Sequence, residues 1–362
     1  MEIKKTCLYD KHVELGALMS PFAGFDMPIQ YTNIVDEHNA VRNVCGVFDV
    51  SHMGEVLVTG ADAERYVNHI FTNDIKDAPN GKIYYGMMCY ENGGVVDDLL
   101  VYKMEPNTFF IVINAANIDK DVAWMNQHTQ GFDVTLTHQS DQYGQLAVQG
   151  PESEKVMETV LNLACKELVF YTCKTLEVNN ETVIVSRTGY TGEDGCEIYG
   201  SHDFIRDAWD KLMAAGVKPC GLGCRDTLRF EVGLPLYGDE LSADISPIMA
   251  GLGFFVKLDK EEFIGKEALA KQKAEGVACK LVGIELTDKA IPRHGYAVLK
   301  DGEQIGEVTT GYHAISVDKS VCMALIKSEY AKLDTELDIQ IRKKTFPGKV
   351  VKKKFYEKHY KK

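Results

Sequence analysis

The pattern of apolar and polar residues switches between helical and strand periodicity through most of the chain. Residues 32–45 carry apolar side chains at helical spacing, with Asn33 as a candidate N-cap and Gly46 as a stop, and so predict a helix. Residues 47–60 then alternate in the manner of a strand. A second helix opens near Asp62. Helices and strands interleaved in this way predict a mixed α+β fold.

Three strand-like runs follow between residues 81 and 116. The Asn-Gly pair within ENGG, residues 91–94, predicts a hairpin between the first two runs. One helix is expected over 118–128 and another from Pro151, which would occupy a favoured first-turn position. Beyond about Lys260 a single helix is followed by short alternating strands and turns. This change of pattern predicts a separate C-terminal β-domain.

The length and composition indicate a globular protein. With 362 residues, of which 45% are hydrophobic, the chain can fill the cores of two or three domains. Its apolar runs are far shorter than the roughly 18 residues that a membrane span requires. The N-terminal segment has no apolar signal core. We therefore expect a cytoplasmic protein that does not enter a membrane.

The ten cysteines are scattered without the spacing of a disulfide framework, which predicts buried, reduced thiols. Cys220 and Cys224 form the only close pair in the sequence. No second pair and no nearby histidine completes a metal site around them, so the sequence argues against a bound metal.

Charge is distributed unevenly along the chain. The net charge of −13 argues against nucleic acid as a partner, because phosphate binding requires a positive surface. Residues 342–362 nevertheless contain ten Lys or Arg against one Glu, a net charge of +9, which leaves −22 for the rest of the chain. Composition favours a solvated, frayed tail over a docking patch for an acidic partner, and it leaves both interpretations open.

Two carboxylates, Asp97 and Asp98, lie inside an otherwise apolar run, GGVVDDLLVY, at residues 93–102. In a strand their side chains point to opposite faces. Strict alternation gives Asp98 three neighbours on its face: Val96, Leu100 and Tyr102. At least one carboxylate is therefore shielded from water, and it needs hydrogen-bond donors or a raised pKa.

Two other interpretations of the aspartates remain. Both carboxylates could lie at the start of the strand and accept hydrogen bonds from the turn amides of Gly93 and Gly94, which would make them structural. A hydrolase could use Asp97 and Asp98 as an acid and a base. The second idea is disfavoured because neighbouring strand residues diverge and do not face one substrate bond.

A glycine-rich segment, SRTGYTGEDGCE at residues 186–197, predicts a shaped loop. Its acidic residues Glu193, Asp194 and Glu197 would repel a phosphate, but they suit a ligand that presents hydrogen-bond donors. A tight surface hairpin around Asp194 and Gly195 is the alternative.

Three basic side chains complete the set of candidates. Arg225 and Arg229 lie four residues apart, on one face of a predicted helix, where arginine can bind carboxylates. Taken alone, pairing with the protein's own carboxylates is the simpler interpretation. His52, which follows a strand, is interpreted as structural and not as a catalytic base.

Taken together, the motifs closely resemble the aminomethyltransferase family, the T proteins of the glycine cleavage system. The likeness runs in order along nearly the whole chain and is specific as a set. It is carried by FAGFDMPIQY (22–31), VFDVSHMGE (47–55), ENGGVVDDLLVY (91–102), NAANIDKD (114–121), SRTGYTGEDGCE (186–197), GLGCRDTLR (221–229) and GEVTTG (306–311).

The resemblance implies a three-domain cloverleaf of the α+β class around a central opening. The N-terminal and middle domains would be mixed α/β, and the C-terminal domain a β-barrel or jelly-roll-like unit. A discontinuous folate-binding domain would span 1–54 and 140–260. The middle domain, carrying the catalytic aspartate, would span 55–139, and the C-terminal domain 275–362.

The resemblance also implies the reaction and its participants. Tetrahydrofolate, as co-substrate, would receive the aminomethyl carbon from the lipoyl arm of a carrier, the H protein, giving 5,10-methylenetetrahydrofolate and ammonia, with no metal and no nucleotide cofactor. The decarboxylase and dihydrolipoyl dehydrogenase components would be further partners. Asp98 would be catalytic, Glu197 would receive the pterin, and the other substrate contacts would be Met53, Tyr85, Tyr102, Tyr190, Arg225 and Tyr360.

Relatives that share this fold supply the competing functions. Sarcosine and dimethylglycine oxidases add a flavin domain with a dinucleotide fingerprint, which is absent from the sequence. A folate-binding protein of iron–sulfur and tRNA maintenance carries a KGCYxGQE signature, whereas RTGYTGEDG stands here. A non-catalytic folate-binding module is the alternative, and the combination of Asp98 with Glu197 argues against it.

Overall fold

A computed structural model describes residues 3–361 of the chain. These residues form eight α-helices: α1 (Tyr9–Glu14), α2 (Ile34–Asn43), α3 (Ala63–Ile70), α4 (Ile118–Gln127), α5 (Ser153–Thr159), α6 (His202–Ala214), α7 (Leu222–Glu231) and α8 (Lys266–Glu275). None of these helices has the length and apolar character that a membrane crossing requires.

The strands of residues 3–361 form three sheets and one two-stranded ribbon. In chain order they are β1 (Leu18–Phe22), β2 (Phe25–Gln30), β3 (Gly46–Asp49), β4 (Gly54–Thr59), β5 (Ile83–Cys89), β6 (Val95–Glu105), β7 (Thr108–Ile113), β8 (Thr135–His138), β9 (Gly144–Gln149), β10 (Cys173–Val178), β11 (Glu181–Ser186), β12 (Gly195–Gly200), β13 (Lys218–Pro219), β14 (Cys279–Leu286), β15 (Ala297–Lys300), β16 (Glu303–Ala314), β17 (Lys319–Lys327), β18 (Glu336–Ile341) and β19 (Lys344–Val351).

The first sheet has six strands in the order β10-β11-β12-β9-β3-β13. Helices α5 and α6 pack against its central strands. Apolar residues of the sheet and of α6, among them Val148, Ile198 and Trp209, are fully or almost fully buried between the two layers. Burial of this apolar face stabilises the sheet and leaves the opposite face available to line a site.

The middle sheet has five strands in the order β5-β6-β7-β4-β8. Val67 of α3 and Met125 of α4 are buried with Ile111 on one face of the sheet. The segment 241–269 covers part of β5 and β6, where its apolar residues form a further buried cluster with Met87. Strand β6, which carries both aspartates, therefore has protein on each side.

The C-terminal strands close into a barrel in the order β14-β17-β16-β15-β18-β19, and β14 pairs with β19 to complete it. Its interior is filled by apolar side chains such as Ile284, Val308 and Ile339. The predictions of an α+β fold and of a C-terminal β-barrel are confirmed.

Several predicted elements are also confirmed. Asn33 caps α2, and its side-chain oxygen accepts the backbone N–H of Asp36 at 2.9 Å. The helix expected from Pro151 is confirmed, but the prediction that the proline lies in its first turn is wrong. The helix begins at Ser153, whose N–H bonds to the carbonyl of Gly150, so Pro151 lies in the preceding turn.

The single strand expected over residues 47–60 is split in two. Strand β3 ends at Asp49, and a turn follows in which Asp49 Oδ1 accepts the N–H of Ser51 at 2.9 Å. The carbonyl of Val50 accepts the N–H of Met53 at 3.1 Å. The turn moves the chain from the first sheet, which contains β3, to the middle sheet, which contains β4.

Strict alternation also fails at the start of β6. The pairing of β5 with β6 shifts register between Met88 and Cys89, so a β-bulge places one extra residue before Asp97. Val96 consequently packs with Leu99 in the core behind the middle sheet and not on the face of Asp98. From Asp97 onward the two faces follow the predicted alternation.

The prediction of a frayed tail is wrong for residues 352–361. The carbonyl of Glu231 accepts the N–H groups of Phe355 and Tyr356 at 2.9 and 2.8 Å. The N–H of His359 donates to the carbonyl of Gly192 at 2.7 Å. The tail is thus bonded to the end of α7 and to the glycine-rich loop.

Candidate active site

A cavity of about 290 Å³ lies between the first sheet, the middle sheet and the tail. Its lining mixes carboxylates, amides, aromatic rings and two cations. The side chains with polar groups or rings include Tyr85, Asp98, Asn114, Gln145, Phe170, Tyr171, Thr188, Tyr190, Glu197, Tyr199, Arg225, Tyr237, Phe255, Lys358 and Tyr360.

The carboxylate of Asp98 faces this cavity and is held by two donors. Tyr85 donates its hydroxyl to Oδ2 at 2.9 Å, and Asn114 donates its side-chain amide to Oδ1 at 3.0 Å. Burial, and then the neighbouring charge of Asp97, raise the pKa of Asp98 to about 7. A group with this pKa can be ionised or protonated near neutral pH, as acid–base chemistry requires.

Asp97 has a different environment, although it is the adjacent residue. Its carboxylate is fully buried and accepts the backbone N–H and the side-chain amide of Asn114, each at 2.9 Å. Asn117 adds a third donor at 2.7 Å. Neither aspartate accepts a hydrogen bond from Gly93 or Gly94 within the described residues, so the interpretation as turn acceptors is wrong.

Glu197 presents the second carboxylate of the cavity, from the middle of β12. Thr188 donates its hydroxyl to Oε2 at 2.5 Å, and Gln145 donates its amide to Oε1 at 3.3 Å. Burial raises the pKa of Glu197, and the bond from Thr188 and the charge of Arg225 oppose that rise. The glycine-rich segment becomes strand β12 at Gly195, which places this carboxylate on the sheet and not in a surface hairpin.

The two arginines of α7 have separate roles. Arg229 is fully buried and pairs with Asp226 and Glu240, each at 2.7 Å, as the simpler interpretation predicts. Arg225 makes no ion pair with any residue of the range 3–361. Its guanidinium lies 4.6 Å from the ring centre of Tyr190, and both side chains line the cavity. Arg225 is therefore a cation available to a ligand.

The tail supplies one aromatic wall of the cavity. The ring of Tyr360 stacks on Phe170 with a centroid distance of 4.0 Å and an interplanar angle of 12°. Glu193 pairs with His359 at 3.2 Å, and Glu154 pairs with Lys361 at 2.5 Å, on either side of this contact. The tail is thereby held over the cavity.

Seven of the eight residues that the sequence singled out for the site line this one cavity: Met53, Tyr85, Asp98, Tyr190, Glu197, Arg225 and Tyr360. Tyr102 stands behind the wall. It is fully buried, and its hydroxyl lies 2.8 Å from that of Tyr199, which does line the cavity. Tyr102 therefore supports Tyr199 from behind and does not itself reach a ligand in the cavity.

Sequence patterns did not reveal the polar residues that hold the carboxylates. Asn114, Gln145 and Thr188 each contact Asp98 or Glu197 from another element. NAANIDKD, the motif that begins with Asn114, contributes only to the family resemblance and does not by itself indicate a donor to Asp98. Gln145 lies outside every motif, and Thr188 lies within SRTGYTGEDGCE but is not distinguished there, because a lone amide or hydroxyl has no diagnostic spacing.

His52 and the cysteine pair lie outside the cavity lining. His52 is buried with edge contacts to Phe22 and Phe25, and burial, helped by Arg225, lowers its pKa to about 3. It is therefore neutral at physiological pH, as a structural residue would be. Within residues 3–361, no cluster of three or more His, Cys, Asp or Glu has the arrangement of a metal site.

Comparison with known proteins gives matches over the whole chain. Residues 8–260 match the family model described as the GCVT N-terminal domain. Residues 280–357 match the model of the glycine cleavage T-protein C-terminal barrel domain. Together the two models account for both the sheet regions and the closed barrel.

Individual relatives are similar along their full lengths. The aminomethyltransferase of Lysinibacillus sphaericus is 50% identical, with 98% of each chain covered. That of Alkaliphilus oremlandii is 49% identical, with 100% of each chain covered. The crystal structure of glycine cleavage system aminomethyltransferase T from Bartonella henselae has 30% identity and a TM-score of 0.95, covering 99% of this chain and 100% of that one. The chain therefore belongs to the glycine cleavage T-protein family.

Proposed function

We propose that this chain is a tetrahydrofolate-dependent aminomethyltransferase of glycine cleavage. It takes the aminomethyl group carried on the lipoyl arm of a carrier protein and passes the carbon to tetrahydrofolate. The products are 5,10-methylenetetrahydrofolate, free ammonia and the dihydrolipoyl carrier. Family membership supports the reaction class, and the geometry of the central cavity supports the roles of individual residues.

The observation that carries the proposal is that Asp98 and Glu197 face one cavity from two different sheets. Each carboxylate accepts hydrogen bonds from its own set of donors, which hold it in a fixed orientation. An enclosed site with two oriented carboxylates suits a substrate that presents N–H groups and develops positive charge during the reaction.

Glu197 binds the pterin in this proposal. A reduced pterin exposes adjacent N–H donors, and a carboxylate can accept two of them in parallel. Thr188 and Gln145 fix the plane of the Glu197 carboxylate from the protein side. The N–H donors of the pterin thus account for an acidic residue in the segment 186–197.

Asp98 acts on the reacting amine. As the bond to nitrogen breaks and ammonia leaves, positive charge develops on the one-carbon unit. The Asp98 carboxylate stabilises that charge better inside a partly dry cavity than in water, because it is already oriented and the local dielectric is low. Its pKa of about 7 also allows it to hold a proton and return it within the cycle.

The remainder of the cavity fits the rest of the folate. The aminobenzoyl ring would lie among Tyr190, Tyr360 and Phe255, whose rings supply flat apolar surfaces. The glutamate carboxylates require a cation, and Arg225 is the unpaired arginine of the lining. Met53 contributes an apolar contact to the same cavity.

The carrier is an H protein that bears the lipoyl arm. The same carrier also serves the decarboxylase and dihydrolipoyl dehydrogenase components. Lipoyl carriers of this system are typically acidic, and the residues 342–361 expose several lysines, including Lys352 and Lys354. Complementary charge would increase the rate of encounter and set the orientation of docking.

The alternative function, a non-catalytic folate-binding module, differs from the proposed one in whether it requires Asp98. Such a module needs Glu197 and the aromatic walls, but it does not need an aspartate with two donors and a raised pKa. The test is ammonia release from an aminomethylated lipoyl carrier, with and without tetrahydrofolate. We expect release to depend on tetrahydrofolate and to match the methylenetetrahydrofolate formed. Folate binding without release would establish the binding module instead.

A further inference from the structure

Behind the site, between β6 and α4, Asp97 is paired with a further acidic residue, Asp121. Asp121, in the first turn of α4, is fully buried. Lys120 donates to its Oδ1 at 2.8 Å and also to the carbonyl of Val96. Its other oxygen, Oδ2, is buried and has no donor among residues 3–361. The carboxyl group of Asp121 lies within hydrogen-bonding reach of Asp97.

Two ionised carboxylates cannot be stable in this arrangement, because both are buried and both only accept hydrogen bonds. Asp97 accepts three N–H donors from Asn114 and Asn117, two on Oδ1 and one on Oδ2, which leaves one of its four acceptor sites open, on Oδ2. A proton on Asp121 Oδ2 resolves the contact, since that oxygen then donates to Asp97 while Oδ1 still accepts from Lys120. The pKa of Asp121 is raised to about 10 by burial and by the charge of Asp97, which outweigh the opposing bond from Lys120.

We propose that Asp121 is a positioning residue, whose protonated carboxyl donates to Asp97 and thereby fixes the Asn114 amide that orients the Asp98 carboxylate. The chain of contacts runs from Asp121 to Asp97, from Asp97 to Asn114, and from Asn114 to Asp98. Asp121 is not among the residues that line the cavity, and it acts on Asp98 through Asp97 and Asn114.

The geometry explains why both faces of β6 carry an acid. Asn114 uses its backbone N–H and one amide bond on Asp97, which leaves its amide aimed at Asp98 Oδ1 at 3.0 Å. If Asp97 could rotate, Asn114 would lose two of its contacts, and its amide would be held only by its bonds to the carbonyl and the carboxylate of Asp98, each at 3.0 Å. The other groups that face this network with charge or a titratable proton are Lys120, Tyr85 and Tyr237.

This inference depends on the proposed function, since it concerns the orientation of Asp98 in that reaction. Its test compares Asp121→Ala, Asp121→Asn and the wild type in the full-length enzyme, measuring kcat, the KM for tetrahydrofolate and the pH dependence of kcat. Asp119→Ala is a matched control, because Asp119 is an exposed acid in the same helical turn.

We expect Asp121→Ala to lower kcat by about tenfold or more, as loss of a bond to a buried charge implies. The KM for tetrahydrofolate should stay within about twofold, since no ligand contact is lost. Loss of the fixed Asn114 donor should move the acidic limb of the kcat profile to higher pH. Asp121→Asn retains an N–H donor toward Asp97 and should recover most of the lost kcat.

Two results would overturn the inference. If Asp121→Asn lost as much kcat as Asp121→Ala, a negative charge on Asp121 and not its proton would be the required feature. If Asp121→Ala, folded by its melting temperature, kept the wild-type kcat and pH profile, Asp121 would have no positioning role. In both cases the wild type would still turn over with tetrahydrofolate, so failure of the inference differs from failure of the proposed function.

Discussion

Tyr85 donates its hydroxyl hydrogen to Oδ2 of Asp98 at 2.9 Å, and its ring meets the edge of Phe255 at a centroid distance of 4.8 Å. One side chain thus joins the catalytic candidate on β6 to the segment that covers the middle sheet. Because the hydroxyl stabilises the ionised form of Asp98, it limits the rise in pKa that burial causes.

Replacing Tyr85 with Phe should therefore shift the pH dependence of the reaction. The ring and its packing remain, but the donor to Asp98 is lost, so the pKa of Asp98 rises. We expect the acidic limb of the kcat profile to move toward higher pH. A shift of one pH unit corresponds to about 1.4 kcal/mol. Tyr84→Phe, on the opposite face of β5, is the control, and an unchanged profile in Tyr85→Phe would refute the assigned bond.

Asp98→Asn should change stability in a way that depends on pH. The pKa of Asp98 is about 7 in the folded protein and 3.8 when fully solvated, so the folded state holds this proton while the unfolded state loses it. The contribution of Asp98 to the free energy of unfolding of the wild type is therefore lost as pH rises from about 4 to about 7. Above about pH 7 it no longer changes with pH.

The measurement is the melting temperature of both proteins across pH 4 to 8. The difference between Asp98→Asn and the wild type should grow in favour of the variant up to about pH 7 and then level off. A difference that does not vary with pH would mean that Asp98 ionises like a solvated acid.

Glu197→Gln should weaken folate binding more than it weakens the fold. The amide presents only one acceptor oxygen to the pterin and places an NH₂ group against its donors. Losing a charged, paired hydrogen bond of this kind costs about 1.5–3 kcal/mol, or roughly ten- to hundredfold in Kd. Titration calorimetry with tetrahydrofolate checks this, with the exposed Glu303→Gln as control. Equal affinities in wild type and Glu197→Gln would contradict the pterin assignment.

The tail lysines test the proposed carrier surface. Lys352 and Lys354 are exposed, whereas the Lys353 ammonium donates to the carbonyl of Ala250, and burial lowers its pKa to about 8. Only the exposed pair should be changed, because loss of the Lys353 bond would disturb the structure. We expect Lys352→Gln with Lys354→Gln to raise the KM for the carrier at low salt.

The same double change on α8, Lys271→Gln with Lys273→Gln, removes equal charge from another exposed site and is the control. The difference between the two double variants should disappear at high salt, as screening reduces the attraction. If both double variants behave alike at low salt, the tail has no special role in docking.

Much of the fold was predictable because local signals were strong. Asn33 and the periodic residues behind it define α2, and the C-terminal alternation predicts the strands of the barrel. The bulge before Asp97 was not predictable, since nothing in VVDDLL distinguishes a bulge from regular pairing. The ordering of the tail depends on contacts with Gly192 and Glu231, which are more than 100 residues away in sequence.

The site was predictable only in part for the same reason. Asp98 and Glu197 were distinctive as charges among apolar residues and glycines. The donors that orient them come from other elements: Thr188 is 9 residues from Glu197, Asn114 is 16 from Asp98 and Gln145 is 52 from Glu197. Tyr102 shares a strand face with Asp98, yet the wall formed by Tyr199 separates it from the cavity. Periodicity gives the face of a strand but not which side chain reaches the opening.

Asp98→Asn separates binding from chemistry most directly, through paired measurements of tetrahydrofolate affinity and of ammonia release from the aminomethylated carrier. The structure predicts affinity within about threefold of the wild type, because Glu197 and the aromatic walls are intact, and ammonia release lower by about a hundredfold or more. Wild-type release rates in Asp98→Asn would contradict the central role of this carboxylate.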